Sequence, residues 1–237
     1  MVSGIMSQDK KEKSEFTVIF EQFLKNYPEF SEISEIVRRN SRAMGRRGHG
    51  KIWIIGGFVY RPIIRHLYGE IYGEILEPSQ IDVDFLIQRG PASQDLYIPK
   101  GWTPSITEAG YLYLDKGKIR IDLNYLYSFH SITSRHTRPS FRHFFTGTPL
   151  DIQSIAYDLT DKNVGVIGKR GIEAIKNRTV RINNFEEAMF EAQKREISIE
   201  DLVTQKAKEL CFNPNFIPIY KAPTPKESHE QKTLPSE

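Results

Sequence analysis

The chain contains 237 residues, with 33 Lys and Arg against 30 Asp and Glu and a formal net charge of +3 at pH 7. This length fits one domain, alone or with a small appendage, and the charge is too small to indicate nucleic-acid binding by itself. The single cysteine, Cys211, excludes an internal disulfide and a cysteine-rich zinc site, and it suits a reducing compartment.

The N-terminal segment is predicted to be disordered, with helices after it. Residues 1–13 are polar and lack the apolar core of a signal peptide, and no apolar run in the chain approaches the ~20 residues of a membrane span. We therefore expect a cytoplasmic protein. Apolar residues at helical spacing predict a first helix around Phe16 and a second over about 31–43, with Ser31 or Ser34 as its N-cap.

A buried strand, a glycine pair and a helix then follow one another. The apolar run Ile52–Ile55 predicts the strand, Gly56 and Gly57 end it, and apolar residues at helical spacing predict a helix from about Phe58. Glycines let a backbone approach a phosphate, and the first-turn amides of a helix donate to it. A tight turn without a ligand is the simpler explanation of Gly-Gly taken alone.

The next predicted strand, Ile81–Ile87, carries two aspartates one residue apart. Because side chains alternate along a strand, Asp82 and Asp84 point to one face while the apolar residues between and beside them point into the core. Two carboxylates on one face repel each other, and a divalent cation resolves that conflict, so the strand indicates a magnesium site. The motif is short, however, and it also fits a strand that leaves one aspartate in solvent.

A third carboxylate belongs to a predicted hairpin. Residues 111–114 and 119–124 have the pattern of two strands joined by a turn at Gly117, and Asp122 lies on the polar face of the second strand. If this strand pairs beside the Asp-x-Asp strand on the matching face, Asp122 completes a three-carboxylate cluster. Otherwise Asp122 lies on a solvated polar face.

The segment 129–145 combines basic and aromatic side chains. Its members are Arg135, His136, Arg138, Arg142 and His143, interleaved with Phe129, Phe141, Phe144 and Phe145. Basic side chains contact phosphates and aromatic rings stack on bases, so this segment can hold a single-stranded or hairpin nucleic acid. Alternatively, it is a solvated loop whose phenylalanines anchor it to the core.

The last third of the chain is predicted to be mostly helical. We predict a loop from Pro139 to Pro149, a short helix over 150–157, and longer helices over 185–194 and 198–210, before a proline-rich tail without structure. Helices that alternate with strands, together with one hairpin, predict an α/β (α+β) fold with a mixed sheet flanked by helices.

The order of these parts resembles the DNA polymerase β-like nucleotidyltransferase superfamily, and within it the head domain of bacterial poly(A) polymerases and tRNA CCA-adding enzymes. The family's Gly-Gly-x-Val is similar to Gly56–Val59, its Asp-x-Asp to Asp82–Asp84, and a segment after its sheet to Leu150–Leu159. The likeness covers roughly residues 50–183.

The composition along the chain, together with the resemblance, predicts a division into four parts. We expect a disordered N-terminus at 1–13, a nucleotidyltransferase head with N-terminal helices at 14–183, a helical appendage at 184–212 and a disordered tail at 213–237.

The resemblance also implies a reaction, in which a nucleoside monophosphate passes from a nucleoside triphosphate (NTP) to a hydroxyl acceptor with two Mg²⁺ ions. The implied metal ligands and catalytic residues are Asp82, Asp84 and Asp122. The residues implied to hold the NTP are Gly56, Gly57, Arg61, Arg65 and Gln153.

Several family positions differ in this chain. Tyr60-Arg61 replaces Arg-Asp, Gly147–Pro149 replaces Arg-Arg-Asp, and Gln153 replaces Asn. Those positions help to hold the nucleotide and its ribose, so the preferred base does not follow from the resemblance.

Four interpretations of the acceptor and the activity stay open. The family likeness and the segment 129–145 favour an RNA end of the tRNA-like kind. The missing body domain favours a small molecule, as in antibiotic-modifying members of the superfamily. The compact chain also fits a protein acceptor in a toxin–antitoxin setting, and the altered motifs fit an inactive nucleotide-binding relative.

Overall fold

The computed structural model describes residues 13–41, 50–69, 81–88, 96–107, 112–134, 136, 138–161 and 163–219. The helices in these ranges are α1 (Glu15–Lys25), α2 (Phe30–Asn40), α3 (Gly57–Tyr68), α4 (His130–Thr133), α5 (Phe141–Gly147), α6 (Lys169–Asn177), α7 (Phe185–Lys194) and α8 (Ile199–Glu209). The strands are β1 (Ile52–Ile55), β2 (Ile81–Ile87), β3 (Thr103–Ile106), β4 (Leu112–Lys116), β5 (Ile119–Tyr125), β6 (Ala156–Asp158), β7 (Val166–Ile167), β8 (Thr179–Arg181) and β9 (Asn213–Asn215).

The first seven strands form one mixed sheet in the order β3-β4-β5-β2-β1-β6-β7. Strands β2 and β5 are parallel, and all other neighbours in this sheet are antiparallel. Strands β8 and β9 make a separate parallel pair. The predicted mixed sheet flanked by helices is therefore confirmed.

The two faces of the sheet have different cores. Ile52 and Ile54 of β1 join a large core with α1, α2 and α3, whereas Trp53 and Ile55 join a smaller cluster with α5. This division follows from the side-chain period of two along a strand. On β2 the apolar residues at odd positions enter the large core, so Asp82 and Asp84 belong to the face of the smaller cluster.

The N-terminal helices are present, with one difference in capping. Ser14 caps α1 by accepting a hydrogen bond from the Thr17 amide at 3.3 Å. Helix α2, in contrast, begins at Phe30 behind Glu29, without a side-chain cap, so the predicted capping by Ser31 or Ser34 is wrong. The turn before α2 continues directly into the helix, because the Phe30 amide already donates to the Tyr27 carbonyl at 3.1 Å, and the helix starts before either serine.

The region 139–157 differs most from its prediction. The predicted loop contains α5, which Ser140 caps through a hydrogen bond from the His143 amide. The predicted helix over 150–157 is a short 3₁₀ turn, Asp151–Gln153, followed by β6. Strand β6 pairs with the open edge of β1, and this long-range pairing overrides the local helical pattern.

The C-terminal part contains the two predicted helices, but the predicted disordered tail begins with a strand. Helices α7 and α8 are confirmed, and Leu202, Val203 and Leu210 enter the large core of the sheet. Residues 213–215 form β9 instead of belonging to a disordered tail, because they pair with β8. The predictions for 1–12 and 220–237 lie outside the described residues. No helix in the described part of the chain is long and apolar enough to cross a membrane.

Candidate active site

Two of the predicted acidic residues face each other across neighbouring strands. In the parallel register of β2 and β5, Asp84 lies opposite Asp122 and Asp82 lies opposite Arg120. Paired positions in a parallel ladder share a face, so Asp122 lies on the same face of the sheet as Asp84. The acidic strand of the predicted hairpin does lie beside the Asp-x-Asp strand.

The carboxyls of Asp84 and Asp122 interact strongly. Both residues are half-buried, whereas Asp82 is exposed. Burial, followed by the charge of Asp122, raises the pKa of Asp84 to about 7. Burial also raises the pKa of Asp122, while a hydrogen bond with Asp84 and the charge of Arg120 act in the opposite direction. Near neutral pH the pair therefore shares a proton, which relieves the repulsion between two neighbouring carboxylates.

This pair makes the stability of the ligand-free protein depend on pH. An unfolded aspartate has a pKa of about 3.9, so between that value and about 7 the folded state holds a proton on Asp84 that the unfolded chain has lost. Stability is thus lost as the pH rises through the folded pKa. When the pH rises from 6 to 8, we expect the loss of the proton from Asp84 to lower the free energy of unfolding by about 1 kcal/mol.

Urea unfolding of wild type and Asp84→Asn at both pH values measures this effect. The wild type should lose more stability than the variant on going to pH 8. An identical pH dependence in the two proteins would contradict the shared proton, because histidines and other groups contribute equally to both.

The glycine turn lies directly against Asp84. Gly56 has φ 70° and ψ −144°, and a Cβ on this residue would lie 3.3 Å from Asp84 Oδ2. Gly57 is the first residue of α3. The leading amides of a helix have no intrahelical partner and carry partial positive charge, so they bind anions. The predicted phosphate-binding turn and the carboxylates are therefore neighbours.

Arg61 connects this turn to the C-terminal part of the chain. Its guanidinium folds back over Gly57, 3.5 Å from the place of a Cβ on that glycine. Its Nη2 donates to Glu209 Oε1 at 2.7 Å, and Glu209 also pairs with Lys206. Nothing in the local sequence indicates this pairing, because Glu209 lies on α8, 148 residues further along the chain.

A cavity of about 620 Å³ opens beside the turn. Its charged lining comes from Arg61 and Arg65 of α3, Asp82 of β2, and Lys118 in the hairpin turn, and the opposite wall comes from α1. Arg65 lines this cavity together with Gly57, and its contact with a nucleotide stays a prediction. Lys118 was not predicted, because its position next to Asp82 depends on the pairing of β5 with β2.

Gln153 has a local structural contact. Its side-chain oxygen accepts a hydrogen bond from the Leu150 amide at 3.1 Å, and it is not part of the cavity lining. Nearby, the fully buried Asp151 accepts from the Arg181 amide at 2.9 Å and from Arg181 Nε at 3.0 Å. This segment supports the fold, and the contact of Gln153 with a nucleotide stays a prediction.

The phenylalanines of the segment 129–145 anchor it to the carboxylate face of the sheet. Phe144 is buried in the smaller core, and Phe129, Phe141 and Phe145 pack against that core. The Phe141 ring centroid lies 3.6 Å from that of Trp53. The phenylalanines therefore anchor this segment to the core, as in the second interpretation of the sequence. Its basic side chains His136, Arg138 and Arg142 are exposed, whereas Arg135 lies outside the described residues.

The donors at the site suit a hard divalent cation in their chemistry. Magnesium prefers carboxylate oxygens as ligands. The proton shared by Asp84 and Asp122 relieves the repulsion between the two carboxylates, and a bound cation would have the same effect. Across the residues that the structure describes, no group of three or more His, Cys, Asp or Glu side chains is arranged to hold a metal ion. Of the predicted three-carboxylate cluster, Asp84 and Asp122 form a pair, and Asp82 lies on the same face of the sheet.

Comparisons with known proteins give distant similarities only. No family model matches the chain, and no curated protein matches its sequence. Among solved structures, the chain is similar to a CCA-adding enzyme in complex with CTP, with 14% identity over 81% of this chain and 44% of that one and a TM-score of 0.46. It is also similar to a tRNA-processing enzyme with CTP, with 19% identity over 70% of this chain and 40% of that one and a TM-score of 0.43.

A third similar structure is a CCA-adding enzyme in complex with ATP, with 14% identity over 87% of this chain and 40% of that one and a TM-score of 0.43. The chain therefore spans less than half the length of these proteins. Similarities at this level say nothing about activity, which depends on the side chains at the site.

Proposed function

We propose that the chain is a nucleotidyltransferase of the DNA polymerase β-like superfamily, which transfers a nucleoside monophosphate from an NTP to a hydroxyl acceptor. One observation carries this proposal: Asp84 faces Asp122 on adjoining parallel strands, and the Gly56 backbone lies against the Asp84 carboxyl. Paired acids beside an anion-binding helix N-terminus are the two parts that in-line displacement at phosphorus requires.

The triphosphate is held by the glycine turn and by the basic side chains around it. The first-turn amides of α3 donate to the phosphate oxygens, and Arg61 and Arg65 line the same cavity as Gly57. Charge-assisted hydrogen bonds of this kind are roughly twice as strong as neutral ones. They orient the α-phosphate towards Asp82, which lines the same cavity.

The aspartates supply the acid–base chemistry and would hold the metal. Mg²⁺ bound by Asp82, Asp84 and Asp122 would neutralise charge on the phosphates and activate the acceptor hydroxyl. The acceptor oxygen forms a bond to the α-phosphorus, the bond from that phosphorus to the β-phosphate oxygen breaks, and pyrophosphate leaves. Asp122 takes the hydroxyl proton in this proposal, because it faces Asp84 on the adjoining strand and a carboxylate in reach of the acceptor can act as a general base.

We propose an RNA end, of the tRNA-like kind, as the acceptor. The motif likeness supports this choice, and so does the position of the exposed Arg138 and Arg142, because the segment that carries them packs on the face of the sheet that bears the aspartates. Small-molecule and protein acceptors are the competing classes, and they use the same chemistry at phosphorus.

Two measurements test this function. Calorimetric titration of each NTP with Mg²⁺ should show metal-dependent binding to the wild type. Incubation with α-labelled NTP should then transfer label to RNA, rather than to small hydroxyl compounds or to protein. Absence of NTP binding by the folded protein would overturn the proposal, and label on another acceptor class would overturn only the choice of RNA.

The ion pair of Arg61 offers a more selective test. Glu209 accepts a hydrogen bond from Arg61 Nη2 and places a negative charge near the proposed triphosphate site. We expect Glu209→Gln to tighten NTP binding by about three- to tenfold, since it replaces a charged acceptor of Arg61 by a neutral one and removes a repelling charge.

Glu191→Gln is the matched control, because Glu191 pairs with Arg195 on the surface of α7, away from the cavity. Binding constants from titration compare the three proteins. Weaker NTP binding by the Glu209 variant would show that the ion pair holds Arg61 in its binding position.

A further inference from the structure

One wall of the cavity comes from α1 and the two residues that follow it, and it carries two aromatic side chains. Phe23 and Tyr27 lie four residues apart, and both contact Phe58 at the start of α3. The ring centroids are 5.7 Å apart for Phe23 and Tyr27, 5.3 Å for Phe23 and Phe58, and 5.5 Å for Tyr27 and Phe58. All three side chains line the cavity, and Phe23 and Tyr27 are only half-buried. A flat ring entering this end would therefore meet aromatic surface.

Two side-chain amides stand at the same end. Gln22 and Asn26 are exposed and line the cavity beside the aromatic residues. Each amide offers donors and an acceptor. Aromatic surface stacks on any base, whereas side-chain amides can distinguish bases by hydrogen bonding to their edges.

The aromatic end is continuous with the phosphate-binding end. Gly57 and Arg61 line the same cavity as Phe23 and Tyr27, and Lys118 and Arg65 add positive charge. A volume of about 620 Å³ lies within the range of small-molecule sites, roughly 300–1,000 Å³. One end of this cavity therefore suits an anion, and the other suits a planar, partly polar ring.

We propose that the aromatic end of this cavity is the nucleobase subsite, with Phe23 and Tyr27 as the stacking surface and Gln22 and Asn26 as the residues that select the base. This inference rests on the proposed function, since it assigns the base of the same NTP whose phosphates lie at Gly57. It makes the N-terminal helix, which precedes the part of the chain with family-like motifs, the element that decides nucleotide preference.

The test uses four NTPs and inorganic tripolyphosphate, each titrated with Mg²⁺ into the full chain. Tyr27→Ala removes the ring, and Tyr27→Phe is its matched control because it keeps the ring and loses only the hydroxyl. We expect the alanine variant to weaken the best NTP by about ten- to a hundredfold and to leave tripolyphosphate binding unchanged. The phenylalanine variant should bind as the wild type does.

Gln22→Ala provides a second test on an exposed helical position, where alanine does not disturb folding. We expect it to reduce the ratio between the affinities for the best and the worst NTP. Loss of tripolyphosphate and NTP binding in parallel, or unchanged NTP binding and base preference in both variants, would overturn the base subsite.

Wild-type behaviour separates this inference from the function on which it rests. If tripolyphosphate binds as tightly as every NTP, the phosphate site stands and the base subsite is refuted. If neither tripolyphosphate nor any NTP binds, the proposed function fails and the subsite fails with it.

Discussion

Replacing Asp82 and Asp84 together by asparagine is expected to reduce nucleotidyl transfer by at least about 10³-fold and to leave the protein folded. Asparagine keeps the shape of the side chain but removes the charge that binds a divalent cation. The fold is spared because Asp82 is exposed and because the raised pKa of Asp84 reflects an unfavourable interaction of its charged form. Initial rates with labelled NTP and urea unfolding curves measure the two effects separately.

Asp201→Asn is the control for this double variant. Asp201 lies in the exposed first turn of α8, outside the cavity lining, so its loss should leave the rate unchanged. Retained activity in the Asp82→Asn, Asp84→Asn protein would refute the assignment of the catalytic carboxylates. If the variant loses both nucleotidyl transfer and a cooperative unfolding transition in urea, the two aspartates have a structural role instead.

Gly56→Ala is expected to lower the free energy of unfolding by about 1–3 kcal/mol and to weaken triphosphate binding at least tenfold. At φ 70° and ψ −144° a residue with a side chain is strained, and the new methyl group would lie 3.3 Å from Asp84 Oδ2. Either the turn or the carboxylate must shift. Both hold parts of the proposed site, so stability and NTP affinity should fall together.

Gly101→Ala separates backbone strain from the effect on the site. Gly101 also has a positive φ, 89°, but a Cβ there would meet nothing within 4 Å. This variant should lose stability and keep its NTP affinity, as measured by denaturant unfolding and by titration. Unchanged NTP affinity in Gly56→Ala would refute the position of the phosphates at this turn.

Local patterns predicted the elements that carry the site. The strand β1, the glycine pair, the strand β2 and the hairpin of β4 and β5 appear where the sequence placed them, because each depends on alternation or on turn residues within about ten positions. The common face of Asp82 and Asp84 follows from the strand period alone. The α/β class with a mixed sheet was also predictable, since helices and strands alternate along the chain.

Apart from the N-cap of α2, the wrong predictions concern segments whose structure depends on distant partners. Residues 156–158 have a helical neighbourhood but complete the open edge of β1, and residues 213–215 pair with β8 in a region that resembles a tail. For the phenylalanines between 129 and 145 the sequence left two interpretations open, stacking on bases or anchoring, and their packing on the smaller core was decided by the tertiary structure. Hydrogen bonds and burial gained from these partners outweigh the local preference of a short segment.

What the sequence alone determined was therefore the chemistry of each strand: which residues alternate, where the glycines permit a sharp turn, and which acids share a face. Only the tertiary structure decided that Asp84 stands opposite Asp122, that Glu209 holds Arg61, and that α1 closes an aromatic cavity beside the turn. The physical reason is the range of the interactions. Side-chain periodicity is a property of neighbouring residues, whereas strand register and helix packing arise from contacts between residues far apart in the chain.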